Sequence, residues 1–156
     1  MHRIESNSPS GIIGLLEILE DLGTPTDIAK LDDSLDEERT TLMNLLDDAE
    51  SLNMIKVYNG DVALTDTGRK FLSSSIEERK KQLKELIRNV EPFSSLIAYF
   101  RAKNVTELPK EEVSAFLSET FPPGENDNTL RVILTWGRYT KLISYDSDDG
   151  IVRLND

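Results

Sequence analysis

The sequence predicts a mainly helical α+β protein, made of two successive units joined by a helical bridge. Three observations carry that prediction. Apolar residues recur at helical spacing in several stretches between Gly11 and Ile143. Short β-prone runs flank Asn59-Gly60, and others flank Asp149-Gly150, residue pairs that favour hairpin turns. The 156 residues, 38% apolar and 30% charged, have the composition of an ordinary soluble chain, long enough for one domain or two small ones.

Taken in order, "GIIGLLEILEDLG" places Ile12, Leu15, Leu16, Leu19 and Leu22 on one helical face, with Gly23 as a stop. In "TPTDIAKL", Thr26 can cap a short helix. "LDEERTTLMNLLDDAESLN" aligns Leu42, Leu45, Leu46, Ala49 and Leu52; Asp36 suits the cap, and Glu37 and Glu38 suit the positive end of the helix dipole. "MIKVY" and "DVALT" form a hairpin around Asn59-Gly60, because a type I′ turn needs positive φ at both positions. "DTGRKFLSSS" restarts a helix. Three helices, a hairpin and a further helix make a winged helix, with the second and third helices as its helix-turn-helix. Residues 1–75 are read as this unit and 76–107 as the bridge. In the bridge, Ile76, Leu83, Leu86, Ile87 and Val90 share a side until Pro92 breaks the helix, and "FSSLIAYFRAK" starts another. Residues 108–156 repeat the outline as a degenerate second winged helix. "LPKEEVSAFLSETF" turns Val113, Phe116, Leu117 and Phe121 inward and stops at Pro122-Pro123-Gly124. "NDNTLRVILTWGRYTKLI" is an amphipathic helix with an Asn or Asp cap, and a hairpin follows around Asp149-Gly150. The first helix of this unit is placed within 93–103.

Composition removes several kinds of chemistry. Cysteine is absent, so there are no disulfides and no thiolate ligands, which agrees with a cytoplasmic protein. The one histidine, His2, stands in a polar terminal stretch read as frayed, so neither a histidine metal site nor a histidine base is expected. No phosphate-binding G-x-x-x-x-G-K-[ST] run occurs. Asp32-Asp33 and Asp47-Asp48 are adjacent pairs, and neighbours on a helix point apart, so neither forms an acid/base dyad. "DSDDG" lacks the alternating ligand spacing of a calcium loop and reads as a turn. No apolar run is long enough to cross a membrane. The expectation is a non-enzymatic protein with no cofactor and no metal.

Charge sharpens the reading. The net charge is -11, split as -9 over residues 1–75, +2 over 76–107 and -4 over 108–156. Such a field repels nucleic acid at long range. In the first unit the face that would enter a major groove carries Glu37, Thr40, Asn44, Asp47, Asp48 and Ser51, with no cation. The second unit differs: between Asn128 and Leu142 the only charges are Arg131, Arg138 and Lys141, and Arg131, Thr135 and Arg138 form one stripe. These four residues are the candidate contacts to phosphate or to an acidic partner. The bridge adds Arg79, Lys80, Lys81, Lys84 and Arg88, read as a solvated face or an internal partner. Trp136-Gly137-Arg138-Tyr139 reads as packing: Trp136 lies within a wide apolar arc, Gly137 admits a close neighbour, and Arg138 points away or pairs with Asp146.

The order of "LTDTGRKF", the basic "SIEERKKQLKELI" and "LTWGRYTKLISYD" resembles the AAA-associated C-terminal domain, found after the ATP-binding cassette of nitrate/sulfonate/taurine-type ABC transporter ATPases. The likeness runs from about Gly14 to Asp146, and its most specific part is Trp136, Gly137, Arg138 and Tyr139 with Tyr145-Asp146 behind them. The resemblance implies a regulatory or interaction domain without catalytic residues. With no nucleotide-binding segment in the 156 residues, a free-standing copy acting on a separate partner is expected. That partner is a protein, an ABC ATPase being one candidate, or a second copy in a dimer, to which Tyr99 and Phe100 would contribute. The alternatives are a DNA-binding regulator working through the C-terminal basic helix or a dimer, and a sensor of small oxyanions.

Overall fold

A computed structural model of the chain describes residues 3–6, 8–35, 37–121 and 126–156, which form eight helices and six short strands. They fall into two compact units: Ser8–Arg79, and Met1–Asn7 with Lys80–Asp156. The mainly helical α+β class is as the sequence predicts. His2, the Asp36 cap and the Pro122-Pro123-Gly124 stop lie outside the described residues.

The Ser8–Arg79 unit runs α1 (Pro9–Leu22), β1 (Thr26–Asp27), α2 (Ile28–Ser34), α3 (Arg39–Ser51), β2 (Ile55–Tyr58), β3 (Asp61–Leu64) and α4 (Asp66–Leu72). Ser8 caps α1 by accepting the Gly11 N–H at 2.8 Å, and Gly23 ends it at φ 89°. The predicted stripes of α1 and α3 are buried: Ile12, Leu15, Leu16 and Leu19 from one helix, Leu42, Leu45, Leu46 and Ala49 from the other. Asn59 and Gly60 have φ of 51° and 80°, as a type I′ turn requires, and β1 adds to the far side of the hairpin in the order β1-β3-β2. The cap of α2 differs from expectation. Asp27 accepts the Ala29 N–H at 2.7 Å, while Thr26 is held in β1 opposite Val62 with its hydroxyl turned back to the Gly23 carbonyl. At α3, Glu38 stands at the cap position without a side-chain hydrogen bond.

The "LTDTGRKF" run is a joint between hairpin and helix. Thr65 accepts the Gly68 N–H at 3.0 Å and donates to the Asn53 carbonyl at 2.6 Å, tying the start of α4 to the end of α3. Arg79 closes the other end of α4, donating to the Phe71 and Leu72 carbonyls at 3.1 and 2.8 Å.

The division between the units falls within α5 (Ile76–Ile87), between Arg79 and Lys80. Ile76, expected on the inward side, is 66% exposed. It is the first residue of α5, while the buried positions, Leu83 and Ile87, come two and three turns later. The second unit continues with α6 (Phe93–Ala102), β4 (Glu107–Pro109), α7 (Lys110–Thr120), α8 (Asn126–Thr140), β5 (Ile143–Asp146) and β6 (Ile151–Leu154), strand order β4-β6-β5. The sequence α6-β4-α7-α8-β5-β6 matches α1-β1-α2-α3-β2-β3 element for element and strand for strand. The corresponding helix ends match as well: Gly23 and Asn104 follow the first helices, Asn53 and Lys141 the third, all at positive φ. The turn between β5 and β6 is longer than the Asp149-Gly150 pair alone; it spans 147–150, with only Gly150 at positive φ.

Two features of this unit were not visible in the sequence. Residues 3–6 are docked against it. Ile4 is 1% exposed and donates its N–H to the Glu91 carbonyl at 2.7 Å; Arg3 reaches the Thr129 hydroxyl at 2.9 Å and lies 4.8 Å from the Phe121 ring centre. The buried Glu91 carboxylate in turn accepts the Ser95 N–H at 3.0 Å and the Ser94 and Ser95 hydroxyls, satisfying the first turn of α6.

The second feature joins α6 to α7. Tyr99 stacks on Phe116 with ring centres 4.4 Å apart and donates to Glu112 at 2.7 Å, and Lys103 donates to the same carboxylate. Phe100 is fully buried and so offers no exposed dimer surface, while Tyr99 is half-buried. Hydrogen bonds from Lys103 and then Tyr99 hold the Glu112 carboxyl below its ordinary 4.5, while Glu112 raises Tyr99 and Lys103 above 10.0 and 10.5. A lowered carboxylate adds stability above its unfolded value that is lost as pH falls through its folded value. Raised Tyr and Lys add stability below theirs that is lost as pH rises. Glu112→Gln is therefore expected to flatten both the acid limb below pH 4.5 and the alkaline limb above pH 10 relative to wild type, measured as urea midpoint against pH.

Candidate functional site

The four candidate residues of α8 are brought to one accessible face. Arg131 and Arg138 are exposed, Thr135 is half-buried, and Lys141 is exposed just past the helix end at φ 67°. Leu130 and Leu134 lie half-buried among them, and with Arg131, Thr135 and Arg138 they line an open depression of about 390 Å³. Among the described residues, none of the three cations forms an ion pair. Of the two alternatives for Arg138, the first holds: it points away from the apolar arc and does not pair with Asp146. Arg138 lies 5.6 Å from the Tyr145 ring centre, and the Asp146 carboxylate accepts the Asp148 N–H at 2.9 Å within the hairpin turn. Lys110, from the start of α7, stands 5.8 Å from the same ring. Tyr145 is thus flanked by two cations, and the positive charge of this face is left without a carboxylate partner among the described residues.

The inward side of α8 is packing. Trp136 is fully buried and its indole N–H donates to the Ser6 carbonyl at 2.8 Å. Val132 and Ile133 are buried beside it, Tyr139 is half-buried with Lys80 5.5 Å from its ring centre, and Thr140 donates back to the Trp136 carbonyl at 2.8 Å. Such a helix presents apolar bulk inward and a cationic stripe outward, so it offers a charged, partly apolar surface and no group able to activate a nucleophile.

The equivalent helix α3 carries the opposite sign, with two corrections to the sequence reading. Asp48 is 1% exposed, so it belongs to the interior rather than to the outer face, and Ser51 is half-buried. Because α3 begins at Arg39, Glu37 precedes the helix, and Arg39 itself supplies one exposed cation that the reading missed. Thr40, Asn44, Asp47 and Glu50 are exposed, as is Met43 at 38%. The basic bridge splits its cations: Arg79 serves α4, Arg88 is paired with Asp156 and Glu85, and Arg101 reaches Asp156 at 2.8 Å. Among the described residues no group of carboxylates or histidine is arranged to hold a metal ion, and no helix is long and apolar enough to cross a membrane.

The model of the C-terminal AAA-associated domain matches residues 29–146, about three quarters of the chain. The chain belongs to that family. No curated protein and no solved structure matches it. The matched span covers α3, the "LTDTGRKF" joint and all of α8, so both outer helix faces described above lie within the AAA-associated domain. The Trp-Gly-Arg-Tyr segment of this domain member divides its roles: Trp136 and Gly137 pack, and Arg138 faces outward. A Cβ on Gly137 would lie 2.4 Å from Ile143 Cβ and 2.8 Å from its Cγ1, both well inside contact distance. Gly137→Ala is expected to destabilise the protein by about 2 kcal/mol, against the roughly 1 kcal/mol gained from helix propensity at an open site, and a urea melt reads the sign.

Proposed function

We propose that the chain is a tandem winged-helix regulatory domain, non-enzymatic, that binds an acidic surface of a protein partner through the outer face of α8. The observation that supports this most directly is that Arg131, Arg138 and Lys141 have no carboxylate partner among the described residues, and that half-buried leucines lie between them. Exposed cations around an apolar centre suit a protein interface, whose middle is desolvated and whose rim is charged. Membership of the AAA-associated family favours an ATPase as the partner, and the ABC ATPases of the source organism are the first to try.

The same face is the one feature that favours duplex DNA, since α8 stands where a winged helix carries its recognition helix. Against DNA stands the net charge of -11. Titration of purified ABC ATPases and, separately, of labelled duplex DNA distinguishes the two. Arg131→Glu/Arg138→Glu/Lys141→Glu is expected to weaken ATPase binding by about tenfold or more, given three exposed ion pairs lost. Tight binding to DNA whose logarithmic salt slope falls by about three in the triple variant would replace the protein reading with the nucleic-acid one.

A further inference from the structure

The chain repeats one arrangement of elements twice, and the third helix of each copy carries an outer face of opposite charge. On α3, Arg39, Met43, Asp47 and Glu50 fall on one exposed stripe at spacings of four, four and three, with Met43 38% exposed and the two acids at the C-terminal end, where Glu50 also accepts the Val57 N–H at 3.2 Å. On α8, Arg131, Thr135 and Arg138 form the matching stripe, with Leu134 and Lys141 beside it. The C-terminal half of the α3 stripe is therefore acidic beside Met43, with Arg39 at the other end, while the α8 stripe is basic with Leu134 between its arginines. The exposed cations of α8 lack ion-pair partners among the described residues, and Asp47 is exposed within a unit whose sequence is strongly acidic.

We infer that the α3 face of one copy docks on the α8 face of a second copy of this chain. This rests on the reading of α8 as a protein-docking face and names the acidic surface it takes. Asp47 and Glu50 meet Arg131 and Arg138, while Met43 and Arg39 lie towards the edge of the contact. Two copies repel at long range through their net charge of -11 each, but at physiological salt that field is screened beyond ~8 Å, and the contact is decided by the groups that touch. The two faces differ, so a single contact is head-to-tail, while a reciprocal pair of contacts closes a two-fold dimer. In either case the average mass in solution rises above the 17.6 kDa of one chain. A partner ATPase with an acidic surface would compete for α8, which makes self-association a way of holding that face covered.

The test is a charge exchange read by sedimentation equilibrium of the full chain at fixed physiological salt. Wild type is expected to show mass above 17.6 kDa that rises with concentration. Asp47→Lys/Glu50→Lys gives a chain with two basic faces, and Arg131→Glu/Arg138→Glu one with two acidic faces. Each variant alone is expected to sediment as a monomer, and an equal mixture of the two is expected to regain association, because each then supplies the face the other lacks. Circular dichroism melts check that both variants are folded; the milder Asp47→Asn and Arg138→Gln serve if either is not. A wild type that stays monomeric up to several hundred micromolar overturns the inference, as does association that the variants leave unchanged or that mixing fails to restore. If self-association is absent while the α8 variant still loses ATPase binding, the docking reading stands and the second copy is not its occupant. Binding of duplex DNA by α8 in place of either protein removes both.

Discussion

Gly68→Ala is expected to destabilise the Ser8–Arg79 unit by about 3 kcal/mol, the upper end of what an overpacked site costs, and to lower the melting temperature of that unit by roughly 12–24 °C. The reason is a backbone contact. A Cβ built on Gly68 lies 2.3 Å from the Met54 carbonyl oxygen and 3.2 Å from its carbon. That carbonyl cannot turn aside easily, because it accepts the Thr65 N–H at 3.0 Å and Thr65 in turn caps α4. A flexible side chain could yield to a new methyl, but this peptide unit is held on both sides. The control is Gly14→Ala in α1. Gly14 is also helical and half-buried, and a methyl added to it would meet nothing within 4 Å, so alanine there should add about 1 kcal/mol by propensity and reduced unfolded-state freedom. Two identical substitutions in two helices of one unit should thus shift the melt in opposite directions. If Gly68→Ala were neutral, the end of α3 would have to move away from α4, and the hydrogen bond from Thr65 to Asn53 would go with it.

The pair of glycines shows what the sequence can and cannot convey. Helical periodicity located the buried stripes of α1 and α3 correctly, because a stripe of Leu and Ile has one low-energy place to go, whereas on α8 it counted Leu130 and Leu134 with the core and the structure leaves them half-buried on the outer face. Asn59-Gly60 located its turn, because few residue pairs accept two positive φ values. The short strands β1 and β4 were not legible. Two or three residues have no measurable period, and they become strands only because a hairpin edge offers them partners at Val62 and Val152. The docking of residues 3–6 was hidden for the same reason: Ile4 is a lone apolar residue among polar ones, and its burial depends on Glu91, 87 positions away. At the candidate site, the cations of α8 could be read from the sequence, since nothing acidic interrupts them between Asn128 and Leu142. Which of them stay unpaired could not. The flanking of Tyr145 by Arg138 and Lys110 arises from the β4-β6-β5 sheet, which sets the start of α7 near the hairpin. Asp48 was misplaced because its neighbour Asp47 is exposed and a helix turns ~100° per residue, which carries the second carboxylate across the boundary into the interior.

Trp136→Ala is expected to cost about 4 kcal/mol, enough to unfold most of the unit formed by Met1–Asn7 and Lys80–Asp156. Trp136 is the largest of the fully buried side chains among the described residues, so truncation leaves a large void in the interior of this unit. Its indole N–H also holds the Ser6 carbonyl at 2.8 Å, so the same substitution releases the docked N-terminal segment. Trp136→Phe separates the two effects. It keeps most of the apolar bulk and removes the donor, losing this one hydrogen bond at a net cost of about 1 kcal/mol. In that variant the unit should remain folded while amide exchange at Ile4, whose N–H bonds to the Glu91 carbonyl, speeds up before exchange within α8 does. Because Trp136 is the chain's only tryptophan, the melts must be followed by circular dichroism rather than by fluorescence. The outer face of α8 provides the contrast: Arg131→Glu and Arg138→Glu lie on the exposed side and should leave the melt nearly unchanged while altering association. Should Trp136→Ala melt like wild type and lose only partner binding, the division of α8 into an inward packing side and an outward docking side would be wrong. Trp136 would then belong to the interface.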